Sequence, residues 1–321
     1  LISDNAELAD GQISVAEVVG AAPTASPTFT GTTTVNGNVS VDGGTIKLDG
    51  NYPVGTANTA LGDGALDSLT SGGSNVAIGN GTLTANTTGA SNTVSGTYAA
   101  YSNTTGGNNT ASGFRAFQDN TTGGNNHGFG ANTLAANTTG GDNVAVGSGA
   151  GDAITTGSNN TAIGRDALSV MTTQNGNTAV GRGAGFNAAT SGLTYLGFQA
   201  GYNTSTGYDN VAVGTNALFT NTTGNENTAV GYQALINNTT GVDNTAVGNG
   251  ALDSQTTSTN NTAVGREALN ANTTGTQNTS VGSFSLDANT TGDYNTAMGY
   301  AALGAATTAT SNTAIGKGAL T

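Results

Sequence analysis

Cysteine and tryptophan are absent, and the 321 residues hold only 3 prolines, 6 Lys and Arg together and a single His. Without Cys the chain has no disulfide staple and no thiolate metal site, and its redox compartment cannot be read. Six basic residues against 19 acidic ones, a net charge of −13, supply no basic cluster for phosphate, so nucleic acid is excluded as a partner. The acidity suits a solvated exterior. Charged residues are 8% and aromatics 5%, and apolar residues reach 35% only because Ala is common. A compact globule made from so few bulky side chains would bury little area per residue. No apolar run approaches the length of a membrane span. The chain opens on Leu1 rather than Met, so the lack of a leader sequence carries no meaning.

What the chain has is glycine, 52 residues of it, among many Ser, Thr and Asn. That composition suggests disorder, but the apolar residues are strictly placed, and disordered chains carry no such order. A glycine recurs every 17 residues from Gly62 to Gly181 and again from Gly197 to Gly316, with one 16-residue step between the two runs. The sixteen copies share the consensus N-T-A-V-G-x-x-A-L-x-x-N-T-T-G-x-x, numbered 1 to 17 below. Asn opens every copy but one, where Leu193 stands instead.

A fixed period outranks local propensity as a signal, and 17 residues is too short for helical-pair repeats. It suits one coil of a parallel β-solenoid, two or three short strands joined by tight turns. T-A-V tolerates extended backbone, Gly follows where the chain must turn, and N-T-T-G carries turn chemistry at the second corner. Sixteen coils at about 4.8 Å make a rod on the order of 75 Å long. The fold class is therefore all-β.

Position 4 is Val, Ile, Leu, Met or Phe in fourteen copies, with Ser95 and Ser112 as exceptions, and position 9 is mostly Leu. Stacked in register, both are expected to form apolar columns. Where position 9 is Gly, an apolar residue follows, as Phe186 after Gly185, Tyr202 after Gly201 and Ile154 after Gly151, which reads as volume compensation. Two large apolar side chains per coil supply about 3–6 kcal/mol against an ordering cost of roughly 17–25 kcal/mol. Backbone ladders and stacked Asn columns recover part of the difference. One apolar face is therefore expected to be shared between chains. The small residues at positions 3 and 8 are the candidates for a crowded axis, and a homotrimer is the simplest odd-numbered closed assembly.

Residues 1–20 have spaced apolar residues consistent with an N-terminal arm or short helix. Residues 21–57 carry Val35, Val39, Val41, Ile46 and Leu48 at mostly even spacing between Asn-Gly and Asp-Gly-Gly turns, a small β segment capping the rod. The solenoid domain is then 58–321. It stops at Leu320 and Thr321 inside a copy with no polar cap, which suggests that the natural chain continues.

The phrases N-T-A-V-G-Y-Q-A-L and N-T-T-G, repeated over about four-fifths of the chain, resemble the repeats of bacteriophage tail fibres. They are also similar to the head repeats of YadA-like trimeric autotransporter adhesins. Ala25 to Gly31, A-S-P-T-F-T-G, looks like a phrase common in phage tail-fibre proteins. The adhesin likeness implies a left-handed parallel β-roll in a homotrimer. The adhesin repeat is shorter, so turn geometry should differ, and neither a membrane anchor nor a receptor-binding tip is recognisable here.

Residues for chemistry are few. His127 is the single histidine, in an irregular copy where it replaces Thr, and reads as drift rather than as a catalyst. No G-x-S-x-G elbow is present. Asp166 and Glu267 follow Arg165 and Arg266 six coils apart, too far for a carboxylate dyad within one chain, and read as surface ion pairs. G-R-G-A-G at 181–185 and G-S-G-A-G at 147–151 mimic phosphate-loop spacing but precede no helix. Asp142, Asp209, Glu226 and Asp243 precede the repeat Asn, and turn solvation explains them better than a calcium column. The N-T-T sequons follow from the repeat.

Position 6 is the candidate surface-binding column. It holds Phe114, Arg165, Arg182, Phe198, Tyr232, Arg266, Tyr300 and Lys317, four of them basic in a chain with six such residues. The reading is thus a non-enzymatic shaft segment of a phage tail fibre, without cofactor or metal, located in the virion. Its partners are its own copies, other virion tail proteins and a host cell-surface glycan or protein, with no membrane insertion. A bacterial trimeric surface adhesin or extracellular filament is the alternative. Ice binding ranks lower, because the two Thr of the N-T-T corner are adjacent and point to opposite sides.

Overall fold

Strand 2–4 of each copy alternates, so either Thr and Val or the flanking Asn, Ala and Gly must face inward. The computed structural model, which describes residues 56–321, resolves that choice. Sixteen three-residue strands, from β1 (Thr59–Leu61) to β16 (Thr313–Ile315), form one parallel sheet in sequence order. Each copy contributes one strand, fewer than the two or three expected, and no helix occurs among the described residues. Pairing joins like positions: Thr228 to Thr245, Ala229 to Ala246 and Val230 to Val247. The 16-residue step leaves register intact, since Thr178 pairs with Thr194. The lost residue comes out of the corner after position 13, where Ala189 still bonds Ser205 in the next coil. The arm expected at 1–20 lies outside the described residues, as does the β segment at 21–57 except for residues 56 and 57.

Two turns close the rest of each coil. Ala234 N–H donates to the Gly231 carbonyl at 3.4 Å, and Asn238 N–H to the Leu235 carbonyl at 3.1 Å. Gln233, third in the first turn, is left-handed at φ 57°, the mark of a type II turn. Leu235 is left-handed too, at φ 51°, and leucine holds this conformation throughout the column. Such strain costs about 1–2 kcal/mol per residue. Burial offsets it, because the leucines from Leu66 to Leu303 are sealed inside the coil. Between coils the backbone bonds continue: Leu235 N–H to the Ala251 carbonyl at 3.0 Å and Thr239 N–H to the Thr256 carbonyl at 2.8 Å.

The strand faces the opposite way from the expectation for position 4. Ala229 is fully buried whereas Thr228 and Val230 are half-exposed, and the same pattern holds along the sheet. Ala229 and Ala234 therefore pack inside their own coil and are not spacers at an axis between chains. The coil interior is narrow, and Ala at positions 3 and 8 leaves room for Leu at position 9. Most coils bury only one large apolar side chain, not two; Leu66 with Leu69, Leu168 with Met171 and Leu193 with Tyr195 are the exceptions with two.

Amides supply the rest of the core. Asn227 Oδ1 accepts from both the backbone N–H and the Nδ2 of Asn244, each at 3.1 Å, while its own Nδ2 donates to the Gly241 carbonyl at 2.8 Å. Asn238 Nδ2 bonds Asn221 Oδ1 at 2.9 Å and the same Gly241 carbonyl at 3.1 Å. Two buried ladders thus run side by side, as expected for Asn227. The second is interrupted where position 12 becomes Ile154, Met171, Ala188 and Thr204. Asn137 Oδ1 is left without a partner because Ile154 in the next coil has no donor.

Large and small residues trade both within a coil and between neighbouring coils. Ile154 is buried and its Cδ1 lies 3.0 Å from where a Cβ on Gly151 would be, so this compensation holds. Phe186 and Tyr202 do not fill the interior; both are half-exposed. Tyr195 fills it instead, at a position that is Ala in most coils, with its hydroxyl donating to Thr204 Oγ1 at 2.9 Å. A Cβ on Gly185 would lie 3.1 Å from the Tyr195 ring, and one on Gly201 would fall within it. Burial pushes the Tyr195 phenol above its ordinary pKa. Phe117 and Gly128 make the same trade.

The glycine at position 5 is fixed by the next coil. At Gly265, φ 137°, an added Cβ would lie 2.6 Å from both the carbonyl carbon and oxygen of Gly282. Gly265→Ala is therefore expected to cost about 2–5 kcal/mol in equilibrium unfolding. Tyr195→Ala should cost about 3–5 kcal/mol by opening a cavity, and adding Gly201→Leu to that variant should restore about 1–3 kcal/mol. Additive losses in the double variant would refute the size trade.

Candidate functional site

Position 6 is second in the turn that opens at the repeat glycine, so its side chain projects into solvent. Tyr232 is 50% exposed and Tyr300 54%, and Phe114, Phe198, Arg165, Arg182, Arg266 and Lys317 are exposed as well. The column is not continuous. Arg165, Arg182 and Phe198 occupy successive coils, Tyr300 and Lys317 form an adjacent pair, and Phe114, Tyr232 and Arg266 stand apart. Within these groups the Arg182 guanidinium lies 5.8 Å from the Phe198 ring centroid, and Lys317 Nζ 6.0 Å from that of Tyr300.

Position 7 extends these clusters. Arg115 lies 5.0 Å from the Phe114 ring, and Arg266 lies 4.9 Å from Phe284, which meets Tyr300 edge-on at 5.9 Å. Arg165 and Arg266 also pair with Asp166 and Glu267 at 3.1 Å, as the sequence suggested. With side chains of Arg165 and Arg266 more than 60% exposed, these pairs add little stability. Cation–aromatic contacts hold the exposed Arg near the surface.

A second feature escaped the column reading. Phe186, Tyr202 and Phe219 stack face to face at position 10, with centroids 5.0 and 5.3 Å apart. The signal is three aromatics at one repeat position, of which Phe186 and Tyr202 were expected to fill the core and Phe219 carried no expectation. Beside the stack, Asp166, Arg182, Gly183, Phe186, Gln199 and Tyr202 line a pocket of about 60 Å³. Small-molecule sites span roughly 300–1,000 Å³, so this is a surface crevice.

Chemistry at other positions is sparse. His127 lies on the outward side of β5 (His127–Phe129). No group of three or more His, Asp or Glu converges to hold a metal among the described residues. Asp209, Glu226 and Asp243 share position 17 in successive coils. A hydrogen bond with Asp243, followed by the charge of Asp243, desolvation and the charge of Asp209, raises the Glu226 pKa above its ordinary value.

The third outward surface is the sheet itself. Positions 2 and 4 place Thr or Val beside Val, Ile, Leu or Met in register along thirteen of the sixteen strands, the exceptions being Ser95, Ser112 and the His127–Phe129 strand. Leu61, Ile78, Phe129, Leu196 and Met298 are each 42–49% exposed there. Compared with known proteins, the chain matches no family model, no curated protein and no solved structure.

Because the Glu226 pKa is raised, the folded state holds that proton more tightly than the unfolded state. Stability is therefore lost as pH rises from the unfolded value of 4.5 through the folded one, where carboxylate repulsion becomes complete. Glu226→Gln should raise Tm at pH 7, and the gain should vanish as the pH falls below 4.5. A gain independent of pH would show that repulsion is not its cause.

Proposed function

We propose that this chain is a structural shaft segment of a bacteriophage tail fibre, assembled as a homotrimer and contributing to attachment at the host surface. The observation that carries this reading is the uninterrupted in-register stack of sixteen strands, in which backbone bonds and amide ladders tie each coil to the next. Such a stack resists bending and stretching, because every deformation strains many parallel bonds at once. The tail-fibre resemblance of the repeat and of Ala25 to Gly31 supports the assignment to a phage particle. The mechanism is mechanical. The shaft holds two ends apart, and the exposed Arg, Tyr and Phe clusters add weak contacts whose number makes up for their individual strength.

Attachment would use a host glycan or surface protein, with Arg182 and Phe198 forming one contact unit and Tyr300 and Lys317 another. The test is immunogold electron microscopy with antibody raised against residues 58–321. Labelling along the tail fibres of the particles that encode the chain is expected. Labelling of the envelope of uninfected bacteria would overturn the assignment in favour of a surface adhesin.

A further inference from the structure

The Thr–Val sheet face has three properties that a solvent-facing surface does not need. It carries no Asp, Glu, Lys or Arg at any of its thirty-two positions, although the chain has a net charge of −13. The acids sit instead on other columns, such as Asp166, Asp209, Glu226 and Asp253. Two copies approaching through the columns that hold these acids would bring like charges together, whereas this side has none to repel. Position 4 on the face is apolar in fourteen of sixteen coils and half-exposed. Contiguous apolar surface of that kind is rare on a monomer.

The third property is size compensation. Phe129 is the largest side chain in column 4, and the two preceding ranks of that column are Ser112 and Ser95. The interior shows the same trade, with Phe117 against Gly128 and Tyr195 against Gly201. Inside, the trade exists because atoms are packed. A face open to water has no packing to balance, so the pairing of Phe129 with small neighbours points to packed contact outside the chain.

We infer that the Thr–Val face is the surface through which copies of this chain associate, parallel and in register, around the axis of the trimer proposed above. This rests on the homotrimer reading. A face about 10 Å wide and about 75 Å long gives roughly 750 Å² per copy, shared between two neighbours in a trimer. Parallel register is required by the compensation, since it brings Phe129 of each copy to one level with Ser112 beneath it. An antiparallel arrangement would set Phe129 against an unrelated rank. The variable residue sizes at position 4 suit a protein partner, whereas a crystalline surface such as ice needs one repeated spacing.

The experiment uses the full chain. Light scattering should give three times the monomer mass, and Val230→Lys with Val247→Lys should lower it threefold with the circular dichroism of the solenoid retained. Tyr232→Lys, on the adjacent outward column, should leave the trimer intact. Because the chain has no Cys, Ser112→Cys provides a readout in the folded assembly. It should give a covalent dimer on mild oxidation, and Asn249→Cys should not. A trimer unchanged by the two lysines and unlinked through Ser112→Cys would place the interface elsewhere and leave the fibre reading standing. A monomeric wild-type chain would overturn both the trimer and this face, and thermal hysteresis in that monomer would assign the face to ice.

Discussion

Coils one strand spacing apart, about 4.8 Å, and in register are the constraint on which the rest depends. Under it every residue meets its own kind in the coil above and below. The repeat glycine has no alternative, because its neighbour's carbonyl occupies the space a Cβ would take. Asparagine is suited to the same constraint for the opposite reason. One amide carries a donor and an acceptor, so a column of them satisfies itself along the axis, and the Gly241 carbonyl accepts from both columns of its coil. A buried amide that would be costly alone becomes inexpensive in a stack. The exception supports this account: Asn137 loses its partner where the next rung is Ile154.

The ladders also account for how a chain so poor in bulky side chains folds at all. One Leu column and two Ala columns are a thin apolar core. Hydrogen bonds between coils, most from the backbone and the rest largely from the Asn and Thr columns, hold what burial alone does not. The left-handed leucines show the balance from the other side. The backbone accepts strain at position 9 because that geometry drives Leu into the centre, where it contacts both Ala columns.

Register made much of this legible before any coordinates. The 17-residue period and the invariant Gly and Asn allow few architectures besides a stacked solenoid, and a stack turns each Asn into a rung. Alternation in T-A-V shows that Thr228 and Val230 share a side opposite to Ala229, but not which side is inside. That depends on the cross-section set by the two turns, and hydrophobicity alone favoured the wrong residue. Positive φ at Leu235 left no trace, since leucine has no preference for it. Tyr195 was hidden because its compensating glycines, Gly185 and Gly201, lie ten residues before it and six after, in different coils. The candidate column was correctly placed on the exterior, but its division into clusters depends on position 7, which varies too widely to read.

The outer columns differ in how they vary, and that difference separates their roles. Position 6 changes from Asp to Phe to Arg to Tyr with no matching change in the next coil, as expected where solvent or a varied partner lies outside. Columns 2 and 4 vary within apolar or hydroxyl side chains apart from His127, hold no Asp, Glu, Lys or Arg, and set Phe129 beside serines. Variation that is corrected nearby indicates a packed environment, and variation that is not indicates an open one. The solenoid therefore has one side whose variation is that of a packed surface, on which we propose self-association, and one whose variation is that of an open surface, with the amide-laddered core between them.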